Sequence, residues 1–302
     1  MTPTTKAPEQ GAAIHGRAVL VSLRISTWLA RKYDRKVSHE VNEQKGAEKD
    51  AGRYNKHLFG GRKEAEAHQA VITACGQARA LHYTHTLPWS NEGQRLLPNA
   101  NYMEHTAQMR AAREDFERRV AAFVAGYPAM RERAKVLLNG LFNERDYPHV
   151  SQIAHKFSFE VDYLPLPAQG DFRLDGLPLD RIAEMERQVQ ASVQRATEQA
   201  MRDAWNRLYE VAAKFYERCG ADGAPKQPLV DGGREVVAVL ARLNVTGDPE
   251  LGRMIERLDR ELLQHDAETL RYRNGLKADT QRRAAEIMAS MQGLVGGLGD
   301  AQ

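Results

Sequence analysis

Apolar residues along this chain recur for the most part at intervals of three and four, the spacing that lays one stripe along a helix. The longest run opens at Pro178 and Asp180. Ile182, Met185, Val189, Val193, Ala196, Ala200, Leu208, Val211 and Phe215 then trace one face over about ten turns, which predicts one very long helix near 180–218. A second stripe, Ala67, Ala70, Val71, Ala74, Cys75, Ala78 and Leu81, predicts a helix over 63–86. Two segments follow period two instead. Val19, Val21, Leu23 and Ile25 alternate with Leu20, Ser22, Arg24 and Ser26, and Phe157, Phe159, Val161 and Tyr163 alternate with Ser158, Glu160 and Asp162. Strands near 18–26 and 157–164 are expected to pair, because a lone strand leaves its backbone groups without partners. The predicted fold class is therefore mainly α, a helical bundle carrying one small two-stranded β element.

Punctuation by Gly, Pro and capping residues places the remaining elements. Residues 27–50 read as a charged helix beginning near Trp28, broken by the glycines of 51–61. Asn101, with Glu104 three residues on, caps a helix that carries Met109, Phe116, Val120, Phe123 and Val124 toward Pro128. Shorter helices are expected at 129–143 and 148–156, and GDFRLDGLPLD (170–180) reads as a turn or short hairpin. Three more helices should follow: one over 234–243, one opened by Asp248-Pro249 with Leu251, Met254, Ile255, Leu258 and Leu262, and one holding Leu276, Ala284, Ile287, Met288 and Met291. Residues 1–16, with Pro3, Pro8, Gly11 and Gly16 among small polar residues, read as a disordered tail, and 220–233, rich in Gly and Pro, as a linker. That divides the chain into a main helical domain (17–219) and a C-terminal helical region (234–295), with the last residues frayed.

The stretch LPWSNEGQRLLPNANY (87–102) breaks the helical pattern. Leu87, Trp89, Leu96 and Leu97 are too apolar for a free loop, so a structural corner between two helices is expected, with Pro88 ending one, Asn99 or Asn101 opening the next and Trp89 buried between them. Ser90, Asn91, Glu92 and Arg95 would then form a polar tip, the place for a partner contact.

Composition narrows the function classes without choosing among them. Hydrophobic residues at 42% can build a core in a chain of 302, and two cysteines, Cys75 and Cys219, in separate helical contexts suit a reducing compartment. Arg24 interrupts the only apolar run near the N-terminus, so neither a signal peptide nor a membrane span is expected. Net charge is +3, but residues 31–63 hold an excess of about five positive charges. Within them Arg53, Lys56, Arg62 and Lys63 lie among Tyr54, His57 and Phe59, a mixture that grips phosphates and stacks on bases and so marks a candidate nucleic-acid contact.

His82 and His85 stand at i, i+3 with His105 across the corner, but no further ligand follows at regular spacing, so hydrogen-bonded histidines and no metal are expected. Residues 11–18, GAAIHGRA, fail as a phosphate loop, since Arg17 and Ala18 stand where Lys and Ser or Thr belong. No nucleophile elbow, zinc helix or paired carboxylate motif is present in sequence, and no cofactor is expected. Positions 182, 185, 189 and 196 fit a heptad seam, which suits homo-oligomerisation or a helical partner.

The segments VSLRISTWLARKYDRKVSHEV, AGRYNKHLF, HYTHTLPWSNEGQRLLPNANY, DYPHV with GDFRL, and LARLNVTGDPEL, spread over most of 18–262, resemble an uncharacterised family of tailed-phage and prophage proteins of proteobacteria. The chain is also similar to proteins encoded beside MoxR-type AAA+ ATPases and von Willebrand factor A proteins. The resemblance implies a phage-encoded protein of the host cytoplasm and supplies no catalytic residue. The expected function is nonenzymatic interaction with a protein partner, as adaptor of an AAA+ ATPase complex or inhibitor of a host system. The alternative is nucleic-acid binding in phage recombination or replication.

Overall fold

The structure is a computed structural model that describes residues 14, 16–61, 63, 65–90, 93–167, 178–220, 225–273 and 275–296, with side chains to 292. In chain order its elements are β1 (Ala18–Ser26), β2 (Arg31–Tyr33), α1 (Arg35–Gln44), β3 (Asn55–His57), α2 (Glu66–His85), β4 (Leu87–Pro88), β5 (Gln94–Pro98) and α3 (Asn99–Leu138). There follow α4 (Val150–Ile153), β6 (Ser158–Leu164), α5 (Leu179–Gly220), α6 (Gln227–Leu243), α7 (Pro249–Leu262), α8 (Ala267–Tyr272) and α9 (Leu276–Gly296). The protein is mainly α, with the very long helix where the stripe of apolar residues placed it. It forms two compact units. One comprises Met1–Ser22, His82–Thr106 and Asp162–Gln302, the other Leu23–Leu81 and Ala107–Val161.

The two strands read from period two are present and adjacent, but their sheet has four strands in the order β4-β5-β1-β6. The 87–102 stretch supplies the extra two. β5 pairs antiparallel with β1 from Ala18↔Pro98 to Ser22↔Gln94, and with β4 at Leu87↔Leu96. Leu87, Leu96 and Leu97 are fully buried, while Trp89 packs half-buried against the same core as Leu87 and Leu96. Leu87, Leu96 and Leu97 are therefore buried as expected, but in strands, whereas Trp89, expected to be buried, is only half so and lies outside them. The two residues of β4 are too few to show a period, and β5 has its longer pairing with β1, far back in the chain.

In the first unit α5 packs against α6, α7 and α9. Ala200, Ala204 and Ala212 on its buried face are small enough to let helices approach, and Leu208 and Phe215 fill the space between. Val193 and Ala196 belong to this buried core, so part of the expected heptad seam faces the chain's own helices. The division at 220–233 is corrected. α6 begins at Gln227 with Pro228 in its first turn, and one continuous core runs from Val193 to Met291; residues 221–224 lie outside those described. Gly233 is what lets α6 close: a Cβ there would stand 2.8 Å from Leu263 Cδ2 and 3.3 Å from Phe215 Cε2. Gly233→Val is accordingly expected to cost about 1–3 kcal/mol by overpacking, read as a lower urea midpoint.

The region taken as a tail also needs correction. Ile14 is fully buried in the first unit's core, whereas residues 1–13 and 15 lie outside those described. So do residues 168–177, which include most of the expected turn over 170–180. At the other end α9 continues to Gly296, through residues expected to fray, and 297–302 are outside the described set.

The second unit gathers Val71, Ala74, Cys75 and Ala78 of α2 with Phe116, Phe123, Tyr127 and Met130 of α3. Phe59 stands edge-on to Trp28 at 5.7 Å and to Tyr127 at 6.1 Å. Pro128 does not end its helix: α3 runs through it to Leu138. Burial on both sides, by Phe123 and Tyr127 before and Met130 and Ala134 after, outweighs the roughly 3 kcal/mol that an interior proline costs. The charged helix over 27–50 is shortened to α1. Ala30 takes a positive φ of 50°, Arg31–Tyr33 become β2, and the Asp34 carboxylate then accepts from the Val37 N–H at 3.2 Å as the cap.

Candidate functional site

The expected nucleic-acid residues lie in a small module of the second unit built from β2, α1 and β3. β2 and β3 pair antiparallel as Arg31↔His57, Lys32↔Lys56 and Tyr33↔Asn55. Opposed residues share a face and successive ones alternate, so Arg31, Tyr33, Asn55 and His57 occupy one face, Lys32 and Lys56 the other. All four residues of the first face are exposed. The Arg53 guanidinium sits 5.9 Å from the centroid of the Tyr33 ring.

Lys56 does something different. Its ammonium is buried and donates to Asp34 Oδ2 at 3.1 Å, Asp146 Oδ2 at 2.9 Å and the Leu141 carbonyl at 2.8 Å. Three donors meet three acceptors, so no hydrogen remains for a phosphate. Burial alone would favour the neutral amine, yet the two carboxylates push its pKa above the usual lysine value. Of the other expected residues, Arg53, Tyr54, His57 and Lys63 are exposed, and Arg62 lies outside those described. The Tyr54 N–H donates to Ser38 Oγ at 2.9 Å and Asn42 Nδ2 to the Lys49 carbonyl at 2.9 Å, polar ties that hold the module in shape.

Arg31 and Tyr33 join the face without standing out in the sequence. Their only local signal is in RKY and NKH, two three-residue segments each with a lysine in the middle, and it has meaning only once the two are paired. Next to the ribbon lies a cavity of about 530 Å³, with Arg31, His57, Phe59 and His68 in its walls. His68 Nε2 stands 2.6 Å from the Trp28 carbonyl, which can only accept, so Nε2 carries the proton.

The expected partner tip at 90–95 is only partly what the sequence suggested. Ser90 is exposed, and Asn91 and Glu92 lie outside the described residues. Arg95 is an anchor instead of a contact residue: its Nε donates to Thr86 Oγ1 at 2.7 Å and an Nη to the Thr86 carbonyl at 3.1 Å, with the guanidinium 4.6 Å from the centroid of Tyr83. Arg207 joins it on the Thr86 carbonyl at 2.8 Å and on that of Thr84 at 3.1 Å. Asn101 Nδ2 donates to the His85 carbonyl at 3.2 Å. These groups satisfy the carbonyls of Thr84 and His85 at the end of α2 and of Thr86 just beyond it, where cations are also favoured by the helix dipole.

The three histidines noted in the sequence do meet at this end of α2. His82, His85 and His105 are 3%, 4% and 0% exposed, and His82 Nδ1 lies 3.1 Å from His105 Nε2. His105 Nδ1 is 3.4 Å from the Tyr163 hydroxyl. A neutral imidazole carries one proton, so the chain Tyr163, His105, His82 has one donor direction at a time. Burial, and then the neighbouring His105 and Arg95, lower the pKa of His82 to about 3; burial and then His85 lower that of His105 to about 4. The His82 and His105 rings are therefore neutral at pH 7, and all three rings are shielded from solvent, an arrangement that packs the first unit. Among the described residues no trio of His, Cys, Asp or Glu is placed to hold a metal ion, and no helix is long and apolar enough to cross a membrane.

Comparison of the chain with protein-family models, curated proteins and solved structures finds no match, so its functional reading rests on this geometry.

Proposed function

We propose that the protein acts as a nonenzymatic interaction protein and that its second unit binds nucleic acid through the β2–β3 ribbon. The observation that carries this reading is the exposed face of Arg31, Tyr33, Asn55 and His57 with Arg53 over the tyrosine ring. Cations draw in the phosphate chain, and a tyrosine flanked by arginine offers a base its stacking surface. Arg35 and Lys36, exposed at the start of α1, add two more cations to the same module. A role in phage recombination or replication accords with the sequence resemblance.

The test is fluorescence anisotropy of labelled single-stranded and duplex oligonucleotides across a salt series. The native protein should bind with an affinity that falls steeply with salt. Arg31→Ala with Arg53→Ala should weaken binding for every sequence and lower the salt slope by about one for each phosphate the arginines no longer neutralise. Lys56 is excluded from such a test because its substitution disturbs the module itself. Absence of binding at low salt would sink the nucleic-acid reading. It would favour the other proposal, docking on a protein partner such as an AAA+ ATPase or a host target, for which the first turns of α5 offer an exposed Leu179 and half-buried Ile182 and Met185.

A further inference from the structure

A second surface of the second unit has the shape of a peptide-binding groove. Among the described strands β6 has one neighbour, β1, and its other edge pairs with none of them. A cavity of about 680 Å³ lies along the start of that strand, with Ser158, Phe159 and Glu160 of β6 and the preceding Phe157 in its wall. Successive side chains of a strand point to opposite faces, so Ser158, Phe159 and Glu160 together border one groove where the strand turns its edge toward it. The facing wall is α3, where Phe116, Val120 and Val124 lie beside a stripe that runs from Arg113 through Glu117 and Ala121 to Ala125. That stripe is about 18 Å long, close to the length of a five-residue strand.

We infer that the groove between α3 and the edge of β6 binds an extended, uncharged peptide segment of a partner protein as an added strand. The backbone of β6 supplies hydrogen bonds in strand register, and alternate apolar side chains of the peptide enter the groove. The groove has room for them because Ala121, Ala125 and Ala154 are small, and its sides are apolar because Val120, Val124 and Phe157 are only half-buried. Charge complementarity selects an uncharged occupant. Arg113 pairs with Glu117 at 2.8 Å and Arg24 with Glu160 at 2.9 Å, so the rim charges already neutralise each other. Those charged pairs also guard the edge of β6 against indiscriminate strand pairing.

The experiment uses the full chain and an array of acetylated hexapeptides with Val, Leu, Ile or Phe at alternate positions and Thr between them. Binding is read by anisotropy, and the best binder is remade in two forms, N-methylated on one or the other alternate set of amides. The expected result is binding that drops about tenfold or more for one methylated form and little for the other, because only one set of amides faces β6. Ala125→Trp should abolish it while leaving the thermal melt unchanged, since Ala125 is exposed on its helix. Failure of every peptide at millimolar concentration, equal response to both methylated forms, or indifference to Ala125→Trp would each overturn the proposal. So would light scattering that shows the native chain as a dimer and Ala125→Trp as a monomer, because the occupant would then be a second copy.

Discussion

Replacing Lys56 with alanine is expected to cost about 3–5 kcal/mol, one of the two largest effects foreseen for this protein. The ammonium is the counter-charge of two carboxylates whose side chains are only 16% (Asp34) and 10% (Asp146) exposed, and its removal leaves both anions in a poorly solvated place. Asp34 is also the cap of α1, so its displacement would loosen the helix as well as the ribbon. Hydrogen exchange should show the loss concentrated in residues 31–57 and around Asp146. The triple variant Lys56→Met, Asp34→Asn, Asp146→Asn removes all three charges together and should recover much of the stability, because the cost lies in unpaired charge and not in the absence of the pair itself. If Lys56→Ala melts like the native chain, the buried ion network does not exist in solution. The linkage has a definite sign. The folded pKa of Lys56 is raised, so its contribution is complete below the unfolded value of 10.5 and is lost as pH rises through the folded value.

Stability should also fall as the solution is acidified from pH 6.5 to about 4.5, by about 2–3 kcal/mol from each of His82 and His105. Their folded pKa values, about 3 and about 4, lie below the unfolded 6.5, so over this window the unfolded chain takes up protons that the folded chain refuses. Above pH 6.5 the contribution is fully present. His68, lowered by burial despite its bond to the Trp28 carbonyl, acts in the same direction in the second unit. Asp34 does not confuse the reading, since its lowered pKa makes its contribution disappear only below the unfolded 3.8. Urea titrations at half-unit pH steps measure the slope. His105→Gln should flatten it, at some cost in packing at pH 7, and a native chain with the same stability at pH 6.5 and 4.5 would contradict the buried, neutral state of these rings.

Local signals were legible where one element carried its own cause. Asp248 before Pro249 announces α7, and in the structure the Asp248 carboxylate accepts from the N–H groups of Glu250 and Leu251. The stripe from Ile182 to Phe215 announces α5 because a face with that period must be covered by something. Leu87, Leu96 and Leu97 were recognisably core residues by composition alone. The candidate site was half legible. An excess of cations among aromatic residues marks the stretch from Arg31 to Lys63, but nothing local tells Arg53, which is exposed, from Lys56, which is buried. The same holds for Arg95, which reads in sequence as part of a polar tip and serves in the fold as a cap on α2.

By itself, then, the sequence determined the helical class, the long α5, the two strands of period two and the presence of a basic segment, because each follows from residues close together in the chain. Only the tertiary structure decided the rest. It joined the strands into a four-stranded sheet, carried α3 through Pro128, and brought Asp34 and Asp146 to the Lys56 ammonium. It also placed β6, among the described strands, at the end of its sheet, with a groove between it and α3. The physical reason is common to all four. Strand pairing, charge pairing and the burial that overrides a proline are contacts between residues distant in sequence, and their free energies depend on what the fold excludes from water.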